Sequence, residues 1–189
     1  LWRSSPTAEA ELEGTSTPPV VDSDRVFVSY RTDDDGPSLV AAFDRETGDS
    51  HWTFRAAADG LHRSAPGVAL LDSGTLAVAS TNEKQPRQDP HVYGVETGTG
   101  AEQWRLTGLP SEARIQQAVQ YAGDLYVVAN RVYRCDPDSG SVAAISDWLT
   151  GESETVRDGV LYNRNMTLEA FDFEREEQIW STELSGKPS

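Results

Sequence analysis

Residues 42–52 read Ala-Phe-Asp-Arg-Glu-Thr-Gly-Asp-Ser-His-Trp, and this eleven-residue stretch recurs along the chain. Residues 94–104 read Gly-Val-Glu-Thr-Gly-Thr-Gly-Ala-Glu-Gln-Trp, and residues 170–180 read Ala-Phe-Asp-Phe-Glu-Arg-Glu-Glu-Gln-Ile-Trp. A degenerate copy spans 134–144, with Asp136, Ser139-Gly140, and Ala144 where the tryptophan is expected. The copies are offset by 52, 40 and 36 residues. Repeats of that period mark stacked units that cannot hide their apolar faces alone.

The alignment extends upstream. Val40, Val92, Val132 and Leu168 share one position, and Phe43, Val95, Cys135 and Phe171 another. Earlier still come the paired apolar residues Val26-Phe27, Leu76-Ala77, Leu125-Tyr126 and Val160-Leu161. The turn formers Asp22-Ser23-Asp24, Asp72-Ser73-Gly74, Gly123-Asp124 and Asp158-Gly159 precede them. Each unit therefore reads as four short strands, A to D, joined by turns. Asp/Gly pairs suit the A–B hairpin. In the C–D turn an acid and a threonine can satisfy nearby backbone N–H groups while glycine takes positive φ. Four-stranded units of this length indicate an all-β fold, a β-propeller of antiparallel blades. The predicted blades span about 18–54, 65–106, 116–148 and 154–183. Trp52, Trp104 and Trp180 are expected to be apolar plates between neighbouring blades.

Composition sets the limits. The chain has 189 residues, 37% of them hydrophobic, with 15 glycines and 10 prolines. Many short strands and polar turns give this profile. No apolar run approaches the roughly 18 residues of a membrane helix, and no signal-peptide pattern is present in this chain. The net charge is −15, from 31 acidic against 16 basic residues, which argues against nucleic acid or an anionic membrane as partner. Only Lys84 and Lys187 are lysines, and the acidic, lysine-poor composition resembles that of haloarchaeal proteins. Cys135 is the sole cysteine, so no disulfide can form within the chain, and its strand position suggests a small buried hydrophobe.

The pattern Ala-x-Asp-x-x-Thr-Gly-x-x-x-Trp resembles the tryptophan-docking motif of quinoprotein-like propellers, the pyrroloquinoline-quinone-type repeat family. Ala42, Asp44, Thr47, Gly48 and Trp52 match every fixed position. Gly94, Glu96, Thr99, Gly100 and Trp104 form a mildly substituted copy. Ala170, Asp172 and Trp180 remain in a third, with Arg175-Glu176 replacing Thr-Gly, and little but Asp136 and Gly140 survives in the fourth. The resemblance implies a seven- or eight-bladed ring, of which this chain would hold about four blades. Leu1-Trp2-Arg3 reads as the end of a preceding blade, covering residues 1–4, so a fragment or a half-ring completed by a partner is expected; a closed four-bladed ring is the other arrangement. The quinone-binding dehydrogenases of the family carry a vicinal cysteine pair and calcium ligands that have no counterpart here. The resemblance thus implies the non-catalytic branch: a binding or scaffold module for proteins or polymers, extracytoplasmic or anchored to a membrane, without catalytic residues, cofactor or metal. A fragment of a quinone-dependent alcohol or sugar dehydrogenase, with the quinone and calcium, is the alternative.

Variable loop length points to one end of the ring. Strand alternation places the B–C and D–A connections together, and these include 30–38, 81–90, 55–64 and 107–116. Loops on a rigid scaffold carry recognition, so Arg63, Arg87 and Arg114 are the expected anchors. Other candidates are bland. Asp33-Asp34-Asp35-Gly36 lacks the spacing of a calcium-binding EF-hand, and His51, His62 and His91 lack metal-ligand spacing. Asn165-Met166-Thr167 is a glycosylation acceptor sequence. No nucleophile elbow, phosphate loop or dinucleotide fingerprint occurs.

Overall fold

The computed structural model describes residues 18–30, 38–56, 67–80, 90–147, 153–164 and 167–184. They form four four-stranded antiparallel sheets in simple up-and-down order. Blade 1 comprises β1 (Val20–Val21), β2 (Arg25–Tyr30), β3 (Ser38–Asp44) and β4 (Ser50–Ala56). Blade 2 comprises β5 (Gly67–Leu70), β6 (Thr75–Ser80), β7 (His91–Glu96) and β8 (Glu102–Leu106). Blade 3 comprises β9 (Gln117–Tyr121), β10 (Asp124–Val128), β11 (Val132–Asp136) and β12 (Ser141–Ala144). Blade 4 comprises β13 (Ser153–Arg157), β14 (Val160–Arg164), β15 (Thr167–Asp172) and β16 (Glu177–Glu183).

The apolar cores lie between blades, because successive strand residues point to opposite faces. Phe27, Val40, Ala42 and Phe54 of blade 1 meet Val68, Leu76, Tyr93 and Val95 of blade 2. Ala77, Val92 and Leu106 on the other face of blade 2 meet Leu125, Val127, Tyr133 and Cys135. Tyr126, Val128 and Val132 of blade 3 meet Leu161, Phe171 and Phe173 of blade 4. The blades therefore stack in chain order. Near the innermost strands the approach is close: a Cβ at Gly67 would stand 2.6 Å from Gln117 Cα, so only glycine fits where β5 meets β9.

Blades 1, 2 and 4 share a device that blade 3 lacks. Opposite Ala42, Gly94 and Ala170 stand Trp52, Trp104 and Trp180, and the register shifts immediately afterwards. One residue on strand D is left over in each case (His51, Gln103 and Ile179), a β-bulge that re-aims the indole that follows it. In blade 2 the indole lies against the small residue across from it, since a Cβ at Gly94 would meet the ring of Trp104. In blade 3 the pairing runs without a shift, Arg134 with Ala143 and Cys135 with Val142. This corrects the sequence alignment. Without the bulge, Ala143 and not Ala144 occupies the tryptophan position. The register also pairs Tyr162, not Leu161, with Ala170, so Tyr162 is the counterpart of Phe27.

Candidate functional site

The C–D turns are built from one plan. The Gly48 N–H donates to Asp44 O, Gly100 N–H to Glu96 O, and Gly140 N–H to Asp136 O, each at 2.9 Å. The three glycines have φ of 79°, 75° and 74°; in blade 4 Glu176 holds the same left-handed conformation at 54°. Asp44 Oδ1 accepts from the Glu46 and Thr47 amides at 2.9 and 2.7 Å. Asp136 Oδ1 accepts from Asp138 and Ser139, and Asp172 Oδ1 from Glu174 and Arg175. The amide of Thr47 chiefly holds the Asp44 carboxyl below the usual carboxylate range. For Asp136 the Ser139 hydroxyl does most of the same, helped by the backbone amides of Ser139 and Asp138.

Each seam uses its turn differently. At seam 1–2 the Trp52 indole N–H donates to Thr97 O at 2.9 Å. A Cβ at Gly100 would stand 2.7 Å from Trp52 Cδ2, so the turn glycine is also the floor on which the indole rests. At seam 2–3 Trp104 packs against the shared core. At seam 3–4 no tryptophan is found among the described residues, and Ala143 stands at the tryptophan position of strand D. The Tyr126 hydroxyl reaches Phe173 O at 3.5 Å, the carbonyl equivalent to that of Thr97. The Phe173 ring, from the turn itself, packs 4.6 Å from Tyr126. Arg134, which replaces the small residue beneath an indole, donates to Glu176 Oε1 at 2.6 Å, and Glu176 replaces the turn glycine. Beyond blade 4 no described blade follows. Trp180 is 41% exposed, with Tyr162 beside it at 6.3 Å.

The loop-rich end is partly visible. Arg63 and Arg87 lie outside the described residues, as do Asp33-Asp34-Asp35-Gly36, His62 and the Asn165-Met166 part of the acceptor sequence. Arg114 is exposed. It sits in a D–A connection that is more than a solvated loop, since Leu109, Ala113 and Ile115 are buried in the seam 2–3 core. The alternation of Ala113 and Ile115 with Arg114 is the sequence signal for that. At the same end of blade 3, Gln117 Nε2 and Asn130 Oδ1 are buried without a hydrogen-bond partner, as is Asn163 Oδ1 in blade 4. Buried polar atoms are almost always satisfied, so these three atoms, with Arg25 Nε in blade 1, are exceptions among the described residues. Sequence reasoning missed them because lone amides in short strands carry no pattern. Among the described residues, no three His, Cys, Asp or Glu side chains are grouped as a metal ion needs. Burial pushes the Cys135 thiol up to about 12.

A family model described as the outer membrane protein assembly factor BamB matches residues 1–158. The crystal structure of BamB from Moraxella catarrhalis is similar at a TM-score of 0.59 and 17% identity, covering 94% of this chain and 52% of BamB. The computationally designed Ika8 protein is similar at 0.54 and 13%, covering 87% of this chain and 48% of Ika8. The designed Ika4 protein is similar at 0.54 and 15%, covering 86% of this chain and 95% of Ika4. The chain thus spans about half the length of the BamB structure it matches. No curated protein matches it in sequence.

Proposed function

The chain belongs to the family described as the outer membrane protein assembly factor BamB, and from that membership we propose that it is a non-enzymatic binding module that presents the loop-rich end of its blades to a protein partner. The observation that carries this reading is the contrast between the two parts of each blade. The seams are apolar and fixed by side chains such as Trp52, Phe173 and Tyr126. The B–C and D–A end of blade 3 instead offers Arg114 in the open, beside the half-buried side chains of Gln117 and Asn130. Rigid scaffold and adaptable polar loops are the division of labour that recognition surfaces use. With a net charge of −15, the partner surface facing this module carries basic groups. The rest of a longer ring is a further partner of the same blades. No described helix is long and apolar enough to cross a membrane.

The test has two arms. Mixing the protein with pyrroloquinoline quinone and calcium is expected to give no stoichiometric uptake and no dye-linked alcohol or sugar oxidation. Tight one-to-one uptake with turnover would overturn the proposal in favour of a dehydrogenase. In the second arm, Arg114→Ala and Asn130→Ala are expected to weaken a purified partner at least about tenfold while leaving the melting curve unchanged. Unaltered affinity in both variants would remove this end as the recognition face.

A further inference from the structure

Blade 3 carries Ala143 where blades 1, 2 and 4 carry an indole, and a space lies beside it among the described residues. A cleft of about 240 Å³ lies at the rim of seam 3–4, lined by Ile145, Ser146 and Asp147 after β12 and by Phe171, Glu176, Glu177 and Gln178 of blade 4. Its position follows from the repeat. Glu176 is the counterpart of Gly100, the residue on which the Trp52 indole rests one seam earlier. Tyr126 and Phe173 rebuild the inner part of the missing contact and Arg134 ties down Glu176, but none of them lines the outer part. The volume falls below the roughly 300–1,000 Å³ of a cofactor or drug-sized pocket, so a single side chain suits it. The cleft joins the apolar surfaces of Ile145 and the buried Phe171 to an acidic rim, Asp147 and Glu177, with Glu176 already engaged by Arg134.

We propose that the seam 3–4 cleft accepts a tryptophan side chain from a partner polypeptide, flanked there by a basic residue, in the place that the chain's own indole fills at seam 1–2. The indole brings the apolar plate that Ala143 does not supply, and the flanking cation meets Asp147 and Glu177. An aromatic ring with one polar edge is the side chain that half-wet clefts of this kind hold best. The inference deepens the binding-module reading and rests on it for the existence of a partner, yet it concerns a different surface from the loop-rich end.

The probe is acetyl-Lys-Trp-Lys-amide, titrated into the full chain labelled with ¹⁵N, with acetyl-Lys-Ala-Lys-amide as comparison. Saturable shifts are expected at the Ile145, Ser146, Glu177 and Gln178 amides, and the alanine peptide is expected to bind at least about tenfold more weakly. Ser146→Trp should abolish the response by filling the cleft, and Glu177→Lys should weaken it, each with the remaining spectrum unchanged as a check on folding. Equal responses to both peptides, or no saturable shift, would overturn the proposal. So would binding seen only in a Trp148→Ala variant, since that would assign the cleft to the indole that follows Asp147 in this chain. A flat titration leaves the loop-end reading standing. Quinone uptake with turnover would sink that reading whatever the cleft does.

Discussion

Gly100 does two jobs that can be separated. Its φ of 75° disfavours any side chain, and its missing Cβ makes room for Trp52. Gly140 has the same conformation at 74° but open space around the position of a Cβ. Gly140→Ala is therefore expected to lose only the conformational part, on the order of 1 kcal/mol. Gly100→Ala should lose that and the indole contact, roughly 2–4 kcal/mol in all. Urea unfolding followed by far-ultraviolet circular dichroism checks the difference; equal losses would deny the docking role. The two acids of the turns make a second prediction. Asp44 and Asp136 have folded pKa values held below the ordinary value of 3.8. Their contribution is present above that value and disappears as pH falls through the lower folded values. The Asp44→Asn, Asp136→Asn double variant should show a shallower fall in melting temperature between about pH 5 and pH 2. A third concerns Cys135, which is buried and whose thiol is raised to about 12. At pH 8 it should resist a disulfide reagent in the native protein and react at once in denaturant; fast native labelling would place the thiol outside the seam.

At the scale of strands and turns, much was legible in the sequence. The repeat of Val40, Val92, Val132 and Leu168 and the Asp/Gly turn signals gave sixteen strands, because alternation and turn chemistry are local. The small residue paired with each indole was legible too, since Ala42, Gly94 and Ala170 stand opposite Trp52, Trp104 and Trp180. The bulge was not. An extra residue changes which strand-D residue faces the seam without altering composition, and its absence from blade 3 moved the tryptophan position from Ala144 to Ala143. Nor could sequence spacing show that Arg134, Tyr126 and Phe173 jointly replace an indole, because they come from two strands of one blade and a turn of the next. That replacement predicts a softer seam. The Arg134–Glu176 pair is partly exposed, with side-chain exposures of 47% and 29%, and such pairs contribute about 0.2–1 kcal/mol. Amide hydrogen exchange in β14 and β15 should be faster than in β6 and β7. Arg134→Ala should speed it further, and added salt should do likewise in the wild type but not in the variant. Uniform protection across the four sheets would contradict this.

At the scale of the whole molecule, the four sheets are mutually dependent. Each seam hides one face of two blades, and at the end of blade 4 Ile179, Trp180 and Leu184 stand at 43%, 41% and 45% exposure. An acidic surface at net charge −15 repels itself, so the melting temperature is expected to climb between 0.1 and 2 M potassium chloride as that repulsion is screened. A flat response would show that charge does not limit stability. Blade stacking through indole and turn is the claim on which the fold, the soft seam and the cleft all rest. Nuclear Overhauser spectroscopy on the Trp52 indole N–H tests it most directly. Its hydrogen is held toward Thr97 O at 2.9 Å with the ring over Gly100. The predicted result is a slowly exchanging indole N–H with cross-peaks to the Thr97 and Gly100 α-protons; an indole N–H that shows only exchange with water would contradict the account.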